Sequence, residues 1–186
     1  MIAAGYMSKK VVSRPGWLKT DNVADIYSVS GCVTEDFADY INFWKHNGYW
    51  FFDSAETIES ISSAEGIDLS SNTLFYYEVY EKQYDEDEKK WKSFKPESSF
   101  ETSVVEPVSK HLEGYDVVSF SGQTSAECSP LSCNYMAQEI QVNEHCLFKT
   151  FEEAMSHLEK GDFKNCEPGP YRIFAVYTVG KVLINY

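Results

Sequence analysis

The 186-residue chain predicts an α+β fold: a mixed or mainly antiparallel sheet with about three to four helices packed on it. Three observations point there. Runs rich in β-branched and aromatic residues, such as Thr73–Tyr84 and Tyr171–Val179, alternate with segments of helical apolar spacing. Capping residues and glycines bracket the helical segments. Aromatic side chains make up 16% of the chain, with 13 Tyr and 12 Phe, which is area enough for a core without covalent staples.

Taken in order, residues 1–10 read as a loose N-terminal tail, with Met7 an alternative start. Asp25–Val33 reads as a strand. Thr34 caps a helix whose apolar stripe is Phe37, Tyr40, Ile41 and Trp44, and Asn47-Gly48 stops it. Tyr49–Phe52 is a short buried strand. Asp53 caps a second helix with Glu56 as its capping-box acid, and Gly66 ends it. Thr73–Tyr84 is a strand, "DEDEKK" a charged turn, and Trp91–Pro96 the returning hairpin arm. The stretch from Pro96 to Pro107 reads as loop and edge strand. Gly114–Gly122 opens the second half as a strand, and Ser129-Pro130 marks a helix start, because Ser is a favoured cap and Pro a favoured first residue. Asn143–Phe148 reads as a strand. Thr150 with Glu153 caps a helix, and Tyr171–Val179 is the closing strand.

The two halves resemble each other. "YSVSG" (27–31) aligns with "VSFSG" (118–122), "NGYWFFDSAE" (47–56) with "NEHCLFKTFE" (143–152), and "FYYEVY" (75–80) with "RIFAVY" (172–177). The expected organisation is a single domain over 1–186. Within it lie pseudo-repeat β-α-β-α-β halves at 25–80 and 114–179, and a hairpin and loop insertion at 81–113. A groove between the halves, at the loops "GCVTED" and "GQTSAECSPLS", is then the natural ligand site.

Charge narrows the function. Twenty-nine acidic side chains against 16 basic ones give a formal net charge of −13. That disfavours nucleic acid, which requires a cationic surface, and suits encounter with a basic protein partner. The N-terminus lacks a signal-peptide core and no apolar run reaches membrane-spanning length, so a monomer in the cytoplasm, with free thiols and no membrane partner, is expected. The sequence has no Gly-rich phosphate loop, no G-x-S-x-G, no HExxH and no EF-hand loop. No cofactor is expected.

The segment "ECSPLSCN" (127–134) carries the most chemistry. With Ser129 as cap, Cys128 and Cys133 occupy the positions that a hydrophobic staple brings together. The same pair is compatible with a reversible disulfide, or with Cys128 as a nucleophile at a helix N-terminus, activated by His145 and supported by Asn134 or Glu144. Zinc on Cys128, Cys133, His145 and Cys146 is disfavoured by irregular spacing and by the opposite faces of adjacent strand residues, so no metal is expected. Arg172 reads as the partner of a local acid or the clamp of a carboxylate, and Trp44, Trp50 and Tyr171 as possible walls of a pocket between the halves.

Function therefore reads first as a non-enzymatic, acidic interaction protein of the inhibitor, antitoxin or immunity type. It would meet a basic partner through Glu35, Asp36, Asp39, Asp85, Glu86, Asp87 and Glu88. The alternatives are a small cysteine-dependent enzyme using Cys128 and His145, and a small-ligand binding domain with its pocket between the halves.

Overall fold

The computed structural model describes residues 1–42, 46–120 and 126–180. Strand β1 is Ile2–Lys10, so the expected loose tail is a corrected reading: Ala4, Tyr6 and Met7 are buried, and β1 pairs with two other strands. Its sequence gives little warning, because two lysines close it and a glycine interrupts it. The short strands β2 (Val12–Ser13) and β3 (Asp25–Ile26) pair with each other. β4 is Glu35–Asp36, α1 is Ala55–Glu65, β5 is Thr73–Val79, β6 is Lys82–Asp85 and β7 is Lys90–Ser93. They are followed by β8 (Lys110–Ser119), α2 (Phe151–Lys160) and β9 (Tyr171–Val179).

All the pairings are antiparallel. The sheet runs β4-β1-β5-β9, with β8 on the other edge of β9. β9 is apolar at nearly every position and is the strand buried on both faces. Beyond the end of β5, β6 takes over its edge at Tyr84–Tyr171 and carries β7 as a hairpin, as the charged turn implied.

The expectation of three to four helices is overturned: the described residues hold two α-helices on a mostly antiparallel sheet. Thr150 with Glu153 caps α2 as expected, whereas Ser54 caps α1 in place of the expected Asp53, whose carboxylate accepts from Thr102 and Ser103 instead; each helix stops at a left-handed glycine, Gly66 or Gly161. The helix expected after Thr34 shrinks to one 3-10 turn, Phe37–Tyr40. β4 pins its entry, because Asp36 is held 3.2 Å from the buried ammonium of Lys9, and Ile41 leaves the turn in extended conformation. Trp44, the last residue of that stripe, lies outside the described residues. At Ser129-Pro130 the chain makes one helical turn, with the Cys133 N–H donating to the Ser129 carbonyl at 2.8 Å. It cannot continue, because Tyr135 is left-handed at φ 64°. The stretches 49–52 and 143–148 are likewise not strands. Each makes one bridge, Phe52 to Tyr6 and Phe148 to Tyr115, and each contains a left-handed residue, Trp50 or Cys146.

Local features recur around β1 and β8. β1 and β8 each carry a bulge ending in a glycine, Gly5 and Gly114, at φ 127° and 151°. A Cβ on either would lie 2.6 Å from a carbonyl oxygen, that of Phe52 or of Phe148. Asn47 and Asn143 each donate to the strand carbonyl before the glycine, Ala4 and Glu113, both at 2.7 Å, and each accepts two backbone N–H groups of its own loop. Across the middle of the sheet Tyr77 pairs with Val176, and the pairs on either side follow two-fold order: Phe75 with Thr178, Val79 with Phe174. The strand equivalent to β8 is therefore β1, not the segment at 27–31, and each half holds one helix rather than two.

Alternation along the strands separates the faces. Tyr115 touches Phe151 of α2, and Ser8 lines a groove with Ile58 of α1. Their neighbours Asp116 and Lys9 thus point to the opposite, helix-free face, which the loops cover.

Candidate functional site

On the helix-free face, two buried charges position two loops. Lys9 of β1 is 1% exposed and donates to the carbonyls of Ser28, Val29 and Ser30 at 2.9, 2.7 and 3.1 Å. Three carbonyls and the Asp36 carboxylate satisfy the ammonium, so burial does not strand it. Asp116 of β8 is fully buried. It accepts from the Val29 N–H at 2.8 Å and the Ser28 hydroxyl at 3.2 Å on one side, and from the Ser129 hydroxyl at 2.6 Å on the other. One carboxylate thus stitches the 28–32 loop to the 128–133 turn. Burial raises the Asp116 carboxyl to about 6, against the pull of those hydrogen bonds.

Where the loops meet, the sulfurs of Cys32, Cys128 and Cys133 lie within 4.8 Å of one another. Cys32 is exposed, Cys128 buried and Cys133 between, so the cluster reaches from solvent inward. The Cys32 thiol donates to the Glu127 carbonyl at 2.7 Å, and the Cys128 thiol to Asn134 Oδ1 at 3.5 Å. Ser30 Oγ lies 3.7 Å from Cys133 Sγ and 3.0 Å from Ser28 Oγ, so hydrogen bonds run from Asp116 through two serines to Cys133. The neighbouring Cys128 and then Cys32 thiols lower the Cys133 thiol below the ordinary thiol range. The same contact with Cys133 pushes the Cys128 thiol up. Cys133 is thus the member of the cluster that loses its proton most readily.

The sequence singled out Cys128 and Cys133 and the loops that bear them. It missed Cys32, whose only signal was its place in "GCVTED", the loop set opposite the cysteine segment. It also paired Cys128 with His145, and the structure engages His145 elsewhere. The ring stacks on Tyr27 with centroids 4.1 Å apart, Nδ1 meets Asp25 at 2.6 Å and Nε2 lies 3.5 Å from Glu113. Glu144 is exposed, and Cys146 is core, its thiol raised by burial. Among the described residues, Arg172 meets no acid. Its guanidinium lies 3.2 Å from the ring centroid of Phe94 and 4.6 Å from that of Phe120, and Nη2 donates to Gln83 at 3.0 Å. Tyr171 is fully buried and Trp50 stacks on His46, so neither walls an open groove between the halves.

Most of the acids expected to face a partner are used internally. Glu35 is 3.6 Å from Lys10 and accepts from Tyr40, Asp36 holds Lys9, and Asp39 accepts from the Asp36 N–H. Asp85 and Glu88 share Lys92, Glu88 also pairs with Lys90, and Glu86 accepts from the Gly169 N–H. Asp87 stays exposed at the hairpin tip.

Among the described residues, no helix is long and apolar enough to cross a membrane. Comparison with protein-family models, with curated proteins and with solved structures returns no match.

Proposed function

We propose that the chain acts through thiol–disulfide exchange at the Cys32, Cys128 and Cys133 cluster. The contact of three sulfurs around one favoured thiolate carries this reading. The Cys133 thiolate attacks one sulfur of a small-molecule disulfide, forming a mixed disulfide and releasing one thiolate. The sulfur of Cys128 or Cys32, giving up its proton, then attacks Cys133 and releases the second thiolate. Two protein thiols are oxidised to one disulfide, the substrate disulfide is reduced to two thiols, and the electrons balance.

The test is to treat the reduced protein with oxidised glutathione and follow intact mass and disulfide-mapped peptides. One internal disulfide within the cluster is expected, with the loss of two hydrogen masses, and Cys133→Ser stops its formation. Equal oxidation of the Cys133→Ser variant, or reaction confined to Cys166, overturns the reading.

A second reading, an acidic face that binds a basic protein, is favoured by one observation. α1 exposes Glu56 and Glu59 on its outer side and Glu65 at its end, with no basic residue in its last turn. Reversing these three to lysine, together with Asp87, abolishes a salt-sensitive partner if this reading holds. A partner retained unchanged by that variant removes it.

A further inference from the structure

Exchange chemistry uses two sulfurs at a time and leaves the presence of the third unexplained. We propose that Cys32, Cys128 and Cys133 are also the ligands of a soft d10 cation of the Zn2+ class, bound by three thiolates with its fourth position open to solvent or an external ligand. The proposal rests on the same cluster but not on its exchange activity.

Three features of the site point to the ion. First, the geometry fits. An ion bonded to sulfur at about 2.3 Å needs sulfurs about 3.8–4.0 Å apart, whether the three form a tetrahedral face or a plane around it. The observed separations, all within 4.8 Å, need only side-chain rotation to close on that distance. Second, the donor set is all sulfur, which selects soft ions over Mg2+ or Ca2+. Third, the remaining ligand types are accounted for. The undescribed segments, 43–45, 121–125 and 181–186, contain no Cys, His, Asp or Glu, and among the described residues the cluster closes at three members. A site with three protein ligands keeps a position for exchange, unlike the closed four-ligand structural sites.

The surrounding shell holds the ligands before the ion arrives. Lys9 fixes the carbonyls of 28–30 just ahead of Cys32, Asp116 fixes Ser129 between Cys128 and Cys133, and Ser30 lies against the Cys133 sulfur. Such outer contacts orient ligands and tune affinity. Binding releases the Cys32 thiol from the Glu127 carbonyl and displaces thiol protons, so affinity rises with pH.

The test titrates the reduced, full-length protein with Co2+ and with Cd2+, reading thiolate-to-metal charge-transfer absorption. One equivalent of each is expected to produce the band, and Zn2+ to displace Co2+. Cys32→Ser should lower the affinity at least tenfold, as should Cys133→Ser, whereas Cys166→Ser leaves it unchanged. Cys32 is exposed, so its substitution leaves the core intact and keeps the test decisive even if Cys128→Ser fails to fold. Absence of the band in the wild type, or a band that survives Cys32→Ser at full strength, overturns the proposal. Glutathione oxidation of the same samples keeps the two readings apart. A protein that forms the internal disulfide but binds no metal retains the exchange function alone, and one that binds metal but forms no disulfide retains the metal site alone.

Discussion

At the scale of single residues, the site depends on where two charges are buried. The Asp116 carboxyl stands at about 6 in the folded protein, above its ordinary value near 3.9 in an unfolded chain. A carboxyl raised on folding contributes stability that is complete below the unfolded value and is lost as pH climbs through the folded one. The unfolding free energy of the wild type relative to Asp116→Asn should therefore fall between about pH 4 and pH 6, by on the order of 2 kcal/mol. Urea unfolding of both proteins, metal-free, across that range checks this. At Cys133 the shift is downward. Alkylation there should persist below neutral pH, where the thiol of Cys166, raised by burial to about 11, is inert. Quantified iodoacetamide labelling from pH 5 to 9 reads the difference. Lys9→Met removes the donor to three loop carbonyls and leaves Asp36 without its counter-ion. It should cost about 3 kcal/mol or more, as breaking a buried pair does, and should slow cluster oxidation because Cys32 loses its fixed loop. Thermal unfolding together with the glutathione assay measures both.

At the scale of elements, the bulge glycines show what joins strand, loop and helix. Gly5 and Gly114 sit at positive φ, with a carbonyl 2.6 Å from where a Cβ would stand. Backbone strain and collision act together, so Gly5→Ala and Gly114→Ala should each destabilise by about 2 kcal/mol or more, and by similar amounts. Chemical denaturation checks the size, and a large inequality would mean that the two bulges do different work. The repeated signal was visible as Gly-Tyr at 5–6 and at 114–115, followed in each half by Asn and a closing Phe. Strand propensity points instead to "YSVSG", and the N-terminal strand is polar at its end. Two helices are legible from a cap and a glycine stop, Thr150 to Gly161 as expected and the helix ending at Gly66 with its cap one residue later than the expected Asp53. The same signals overpredict at Thr34, where a cap and a glycine stop are both present, and at Ser129, where only a cap is, because a local signal cannot see the Lys9 ion pair or the left-handed Tyr135 that cut the turn short.

At the scale of the whole molecule, the two-fold order of β5 and β9 buries each half's inner strand against the other. Residues 1–107 alone would expose that edge of β5 and strip the ring of Phe174 from those of Phe75 and Tyr77, so this fragment should lack cooperative unfolding. Calorimetry of the fragment beside the full chain decides it. The symmetry ends at the site. In equivalent strand positions β1 carries Met7 and Lys9 where β8 carries Asp116 and Val118, and those two charges organise the thiol face. The sequence by itself determined the closing strand, the hairpin, both capped helices and the chemical interest of Cys128 and Cys133, because each is written in neighbouring residues. Only the tertiary structure decided that Cys32 joins them, that His145 does not, and that the acids meant for a partner are largely satisfied at home. Those outcomes depend on pairings between residues far apart in the chain, such as Asp116 with both Val29 and Ser129, and folding alone selects among the many such pairings a composition allows.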